Sequence, residues 1–187
     1  SKYYKRRDRY SRRYDEICSI KTLILDSQSG ILYLVSTPIG NLGDITFRAI
    51  ETLKKVNVIA AEDTRHSRRL LNHYGIKTPL LSYYEHNRDM RIPKIIETIK
   101  SGDSVSLITD AGTPAISDPA YKLVRFAIEN KIKVESIPGA SAVLASLVPS
   151  GLPTDRFIFE GFLPLKKGRI KRIKSMQDEI ATIILYE

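Results

Sequence analysis

Short apolar runs alternate along this chain with stretches whose apolar residues recur every three to four positions. Ile31–Ser36 (ILYLVS) is the clearest of the runs, apolar at almost every position, as a strand buried on both faces of a parallel sheet would be. Val56–Ala61, Pro79–Tyr84, Val105–Ile108 and Lys133–Ile137 predict four more strands. Between them, Ile45, Ala49, Ile50 and Leu53 mark one helical stripe, capped by Asp44 or Thr46. A basic helix follows from Thr64 to a stop at Gly75, and another from Ile92 to Ile99, with Pro93 in its first turn and Gly102 ending it. A helix to about Asn130, capped by Ser117 or Asp118 with Pro119 in its first turn, and a small-residue helix to Val148 complete the series. Strand alternates with helix five times, which predicts an α/β fold with a parallel, doubly wound five-stranded sheet.

Pro149-Ser150-Gly151-Leu152-Pro153 is the best boundary in the chain. Beyond it, Arg156–Phe162 reads as a strand, Lys166–Lys174 as a basic helix and Ile180–Glu187 as a further strand-like run. The expected organisation is therefore an arm over residues 1–30, an N-terminal α/β domain over 31–149, and a linker with the start of a truncated second α/β domain over 150–187. Without an initiator Met, and ending inside a strand-like run, the chain reads as a fragment.

Composition narrows the class. With 187 residues and 42% hydrophobic content, the chain can bury a core. No apolar run approaches the roughly 20 residues of a membrane span, and none resembles a secretory segment. The single cysteine, Cys18, excludes an internal disulfide and a cysteine zinc cluster, and the three histidines lack metal-ligand spacing, so no metal is expected. A cytoplasmic location fits, or an organellar one if the basic arm is a targeting segment. The formal charge of +9 suggests a polyanionic partner. Residues 1–21 hold eight basic against three acidic residues, interleaved with Tyr3, Tyr4, Tyr10 and Tyr14. That arm reads either as a solvated extension or as a segment that stacks on unpaired bases; its acidic residues argue against a transit peptide.

The chemistry gathers in loops. Thr37–Gly43, Asp110–Asp118 and Pro138–Ser141 are rich in glycine, proline or small residues, and each follows a predicted strand. In a parallel sheet all three lie on one edge and can converge on one ligand. None has the G-x-G-x-x-G or P-loop pattern, which counts against a dinucleotide or nucleoside triphosphate. Glu62, Asp63, Asp110, Glu85 and His86 near strand ends are candidate proton acceptors; Asp63 is the first choice, with Glu62 beside it. Asp63 and Asp110 read equally well as caps or loop braces. Arg65, Arg68 and Arg69, and Lys166, Lys167 and Arg169, suit phosphate contacts or plain solvated faces. His66 and His73 read as surface or packing residues.

Five segments, STPIGNLGDIT (36–46), AEDTR (61–65), DAGTPAISDP (110–119), PGASA (138–142) and GLPTDRFIFEGFLP (151–164), together resemble the family of ribosomal RNA small-subunit methyltransferase I. That family lies within the tetrapyrrole-methylase-like enzymes that use S-adenosylmethionine, and the resemblance runs from Ile31 to Glu187. Ala120 stands where the family usually has Gly, and Ala140 where many relatives have Pro. The resemblance implies a methyl transfer from S-adenosylmethionine to the ribose 2′-hydroxyl of a cytidine in the decoding region of 16S rRNA, by a homodimer of two-domain subunits. It implies cofactor contacts at Pro38 and Ile39, at Gly112, Thr113, Ile116 and Ser117, and at Ser141 and Ala142; Asp110 heads the middle loop and is grouped with them. The alternatives are a precorrin-type tetrapyrrole C-methyltransferase on the same fold, and a non-catalytic RNA-binding relative.

Overall fold

The computed structural model describes residues 29–117 and 120–187; residues 1–28, most of the expected arm, lie outside it, as do the expected cap Asp118 and Pro119. Five strands form one wholly parallel sheet: β1 (Ile31–Val35), β2 (Val58–Ala61), β3 (Leu80–Ser82), β4 (Val105–Ile108) and β5 (Lys133–Ile137), in the order β3-β2-β4-β1-β5. The register sets Leu34 of β1 between Leu107 of β4 and Ser136 of β5. All four residues of β4 are buried, as a central strand covered on both faces requires.

The helices divide between the faces. α1 (Phe47–Lys55) and α2 (Thr64–His73) place Ala49, Leu53 and Leu71 against Val35, Ile59 and Ile108. α3 (Arg88–Lys100) and α4 (Ala120–Glu129) place Ile92, Ile95, Ile99 and Leu123 against Leu32, Ala60 and Leu107 on the other. Residues i and i+1 of a strand point to opposite faces, so β1 gives Leu32 to one core and Val35 to the other. Thr46 caps α1 by accepting from the Ala49 N–H at 3.1 Å. The Gly30 N–H donates to the Ile99 carbonyl at 2.8 Å, and a Cβ at Gly30 would lie 2.0 Å from the Asp103 carbonyl oxygen, so the chain enters the sheet through a gap only glycine fits.

Three expectations need correction. α3 starts at Arg88, not near Ile92, so Pro93 sits in the second turn. The reason is Asn87, whose Oδ1 accepts from the Tyr84 N–H at 2.9 Å while Nδ2 donates to the Ser82 carbonyl at 3.2 Å. That bracket turns the polar run at residues 85–88 into a helix entry, and Pro93, which has no N–H to donate, is exposed on α3. The loop expected over Thr37–Gly43 is not wholly irregular: its end enters a 3₁₀ turn, Leu42–Asp44, capped by Asn41 Oδ1, which accepts from the Gly43 N–H. Finally, the basic helix α6 covers only Arg169–Ser175, and Lys166 and Lys167 precede it. Gly168, at φ 93°, makes the turn between them.

Past β5, α5 (Ala142–Leu147) and a 3₁₀ turn at Val148–Ser150 lead to Gly151. β6 (Phe157–Phe162), α6 and β7 (Thr182–Tyr186) then form a parallel β–α–β unit with a bulge at Gly161. Its apolar face meets α5, where Val143 and Leu147 pack with Ile184, Phe159 and Tyr186. The crevice opens where β1 and β4 lie side by side, because β1 leads to α1 on one face and β4 to α4 on the other.

Candidate active site

The loops after β1, β4 and β5 are laced together. Thr37 and Gly112 exchange backbone bonds, the Thr37 N–H donating to Gly112 at 2.9 Å and the Gly112 N–H to Thr37 at 3.1 Å. The Thr37 hydroxyl adds a bond to the Thr109 carbonyl at 3.1 Å. The Thr113 hydroxyl donates to the Ala140 carbonyl at 3.1 Å, so its one proton is used and Ser36 Oγ, 3.0 Å away, is the donor to it. Two glycines permit this closeness. A Cβ at Gly139 would lie 2.9 Å from Ser36 Cβ; Gly112 is left-handed at φ 81°, and a Cβ there would lie 3.3 Å from Ile39 Cγ2.

This lacing floors a cleft of about 310 Å³. Ile39, Ala111, Gly112, Thr113 and Ile116 line it from the first two loops, Ser141 and Ala142 from the third. Phe162, Tyr186 and Glu187 close it from the β6–β7 unit, where the Tyr186 ring stands 5.2 Å from that of Phe162. Ala115 and Ser117 both adopt left-handed backbone, at φ 70° and 61°, in the loop that forms the cleft wall. Non-glycine residues held there carry strain, which concentrates at ligand sites. Ser117 also reaches the second unit, its Oγ lying 3.1 Å from where a Cβ of Gly161 would be.

Next to the cleft is a recess of about 40 Å³, bounded by Thr37, Pro38, Leu42, Thr109 and Asp110 and by His66, Ser67 and Leu70 of α2. Asp110 Oδ1 accepts from the Asp63 N–H at 3.1 Å, tying the ends of β4 and β2. Asp63 Oδ1 in turn accepts from the Arg65 N–H at 2.8 Å and so caps α2, with the Arg65 guanidinium 3.3 Å from Oδ2. The Arg65 backbone N–H is the main cause that holds the Asp63 carboxyl below its ordinary value of 3.8, and the Arg65 side chain adds to it.

The structure thus brings Ile39, Gly112, Thr113, Ile116, Ser141 and Ala142 to one cleft, with Ser117 beside it, while Pro38 and Asp110 face the recess. Asp63 sits at the head of α2 with its carboxylate occupied, and Glu62 is half-buried before it. Arg65, Arg68 and Arg69 are exposed on α2, as are Lys166 and Lys167 ahead of α6. Arg169 instead donates to Glu187 Oε1 at 2.8 Å, at the rim of the cleft. Sequence reasoning missed Ala111, Phe162, Tyr186 and Glu187; His66, read as a surface or packing residue, is exposed on α2 and also lines the recess. Only the continuation of the AEDTR segment into His66-Ser67 could have flagged the recess. Among the described residues no group of three His, Cys, Asp or Glu could hold a metal ion, and no helix is long and apolar enough to cross a membrane.

Glycine-floored loops over the carboxyl edge of a doubly wound sheet, closed by a second α/β unit, define a small-molecule site of the α/β type. The family model described as Tetrapyrrole (Corrin/Porphyrin) Methylases matches residues 31–187, and the chain belongs to that family. Among curated proteins, it is 54% identical over 159 residues to "Ribosomal RNA small subunit methyltransferase I" of Synechocystis sp., covering 84% of this chain and 57% of that protein. To the protein of the same name from Haemophilus influenzae it is 51% identical over 160 residues, covering 85% of this chain and 56% of the other. The chain therefore spans a little over half the length of these relatives. Among solved structures, a diphthine synthase shares the fold at a TM-score of 0.68 and 19% identity, covering 84% of this chain and 64% of that one.

Proposed function

We propose that the protein is an S-adenosylmethionine-dependent methyltransferase that modifies the ribose 2′-hydroxyl of a cytidine in the decoding region of 16S rRNA. The observation that carries this reading is the laced cleft, built from segments that resemble the ribosomal RNA small-subunit methyltransferase I family, in a chain about half identical to proteins of that name. The residues present fit such a cofactor. A volume of about 310 Å³ is at the lower end of small-molecule sites. Gly112 leaves space that a Cβ would take from Ile39, and apolar Ile39 and Ile116 alternate with the hydroxyls of Thr113 and Ser141. When bound, the cofactor supplies a methyl group on a sulfonium centre. Ile39, Gly112, Thr113, Ile116, Ser141 and Ala142 hold it, with Ser117 supporting the wall and Pro38 and Asp110 bracing the loops behind. Phe162 and Tyr186 keep water from the cleft. Arg65, Arg68 and Arg69 on α2, with Lys166, Lys167 and Arg169 near the other rim, contact phosphates of the RNA. Asp63 and Glu62 shape the acceptor side of the site. The enzyme works as a cytoplasmic homodimer.

The family's description favours one second reading, a tetrapyrrole C-methyltransferase. A macrocycle, although it carries carboxylates, would meet its cations inside the cleft, whereas Arg65, Arg68 and Arg69 are exposed and do not line it, and such an outlying basic face suits the backbone of an RNA. The test uses labelled S-adenosylmethionine, the full-length protein and unmodified small ribosomal subunits, with mass spectrometry of the digested rRNA. One ribose-methylated cytidine is expected. Label on a base, or label only in an added precorrin-type macrocycle, would overturn the proposal; cofactor affinity with no transfer to any of these would leave a non-catalytic RNA binder.

A further inference from the structure

We propose that the recess beside the cleft receives the acceptor hydroxyl and that His66 at its mouth takes the hydroxyl's proton, an assignment that rests on the ribose-methylation reading. Neighbouring residues of the chain divide between the two spaces. Pro38 faces the recess and Ile39 the cleft; Asp110 faces the recess and Ala111 the cleft. A group seated in the recess is therefore next to whatever the cleft holds.

The recess has the chemistry of a hydroxyl site. Ser67 lines it at 2% exposure, and its Oγ has no hydrogen-bond partner. Buried hydroxyls in folded proteins are nearly always satisfied, so an orphan on a residue that lines a small recess points to a partner that arrives from outside. The space of about 40 Å³ exceeds the roughly 10–15 Å³ that one water needs, yet it is far too small for a nucleobase. A hydroxyl on its carbon fits. Leu42 and Leu70 give the recess an apolar side, which suits the carbon end of an alcohol.

The lining also selects the proton acceptor. Asp63 has its carboxylate on the α2 cap and on Arg65, and Asp110 Oδ1 is on the Asp63 N–H. The Asp110 carboxylate ties the β4 end to the β2 end, and the Asp63 carboxylate holds the first turn of α2. His66 lines the same recess, is exposed at its mouth, and carries an imidazole, the side chain best suited to take and release a proton near neutral pH. In the balanced step, the ribose oxygen forms a bond to the methyl carbon as the donor's carbon–sulfur bond breaks with its pair on sulfur. The O–H bond breaks at the same time, its proton passes to His66, and His66 returns it to solvent.

The experiment has a binding arm and a rate arm, both on the full-length protein. In the first, cytidine 5′-monophosphate and its 2′-deoxy counterpart are titrated in turn while the His66 ring signals are followed by NMR, assigned against the His66→Ala spectrum. The ribonucleotide is expected to move those signals with at least about fivefold higher affinity than the deoxynucleotide, and Ser67→Ala to remove the difference. In the second arm, His66→Ala is expected to lower single-turnover methyl transfer by about 10²–10⁴-fold, the usual contribution of a positioned base, with S-adenosylmethionine affinity unchanged within about twofold. Equal shifts with the two nucleotides would mean that the recess holds only water. A His66→Ala enzyme that transfers at the wild-type rate would remove the proton-acceptor role. Either result overturns the proposal while leaving ribose methylation by the wild type intact. A wild-type enzyme that methylates no ribose would instead overturn the underlying reading.

Discussion

The five-stranded sheet and the β6–β7 unit are built from the same kinds of residue, yet they bury them very differently. β4 hides all four of its residues, and helices cover both faces of the sheet around it. β6 buries only Gly161, and its unit rests on a cluster of three buried residues, Val143, Leu147 and Ile184. Leu165 and Ile180 are 92% and 96% exposed in the same unit. The first region has two buried clusters of its own; the second has one small cluster, which it shares with α5. Since Phe162 and Tyr186 close the cleft, the wall of the site most exposed to disturbance is the one with the smallest core.

Substitutions in the two cores should separate these regions. Leu53→Ala, at a fully buried position under the sheet, is expected to cost about 2–5 kcal/mol and to lower the melting temperature of the whole protein. Ile184→Ala should cost near the low end of that range, about 2 kcal/mol, because a three-residue cluster collapses more easily around a void. Its signature is local: faster trypsin cleavage at the exposed Arg156 and weaker cofactor binding, with hydrogen exchange in β1 and β4 unchanged. If Ile184→Ala instead loosened the central strands as Leu53→Ala does, the two regions would be one cooperative unit. Gly139→Ala comes next. Its methyl would press on Ser36 Cβ at 2.9 Å, costing about 1–3 kcal/mol and spreading the first and third loops. Isothermal titration with S-adenosylmethionine should show lost affinity out of proportion to the small drop in melting temperature.

The contrast between the regions also explains what could be read without coordinates. Ile31–Val35 and Val105–Ile108 announce themselves because a strand buried on both faces must be apolar throughout. Glycines and prolines likewise mark the loops that approach one another. The strand order was not legible, since nothing local tells β1 to lie between β4 and β5. The start of α3 was hidden for a similar reason: Asn87 sets it through bonds to Ser82 and Tyr84, not through periodicity. Phe162 and Tyr186 looked like ordinary strand residues, because their place in the cleft depends on how β6 and β7 pack against α5. His66 shows the limit most clearly. Read singly it is a polar residue on a basic helix, and only the folding of α2 against the β1 and β4 loops makes it part of a recess.

The smallest predicted effect concerns the head of that helix and comes with a defined sign. The Asp63 carboxyl is held below its ordinary value of 3.8 by N–H donors of α2 and by Arg65. Its ionised form therefore favours the folded state, and this contribution is complete above the unfolded value. It is lost as pH falls through the folded one. Because the pair with Arg65 is exposed, its charge attraction is weak and falls further with salt, which leaves the backbone cap as the main source. Asp63→Asn keeps a side-chain oxygen for the Arg65 N–H but cannot titrate. Its melting temperature should match the wild type at acid pH and trail it slightly at neutral pH, so the two curves converge as pH drops below about 4. Asp63→Ala removes the cap as well and should trail by more at neutral pH. If Asp63→Asn left stability unchanged yet abolished methyl transfer while His66→Ala did not, the proton acceptor would be Asp63, and the recess would be a brace for it.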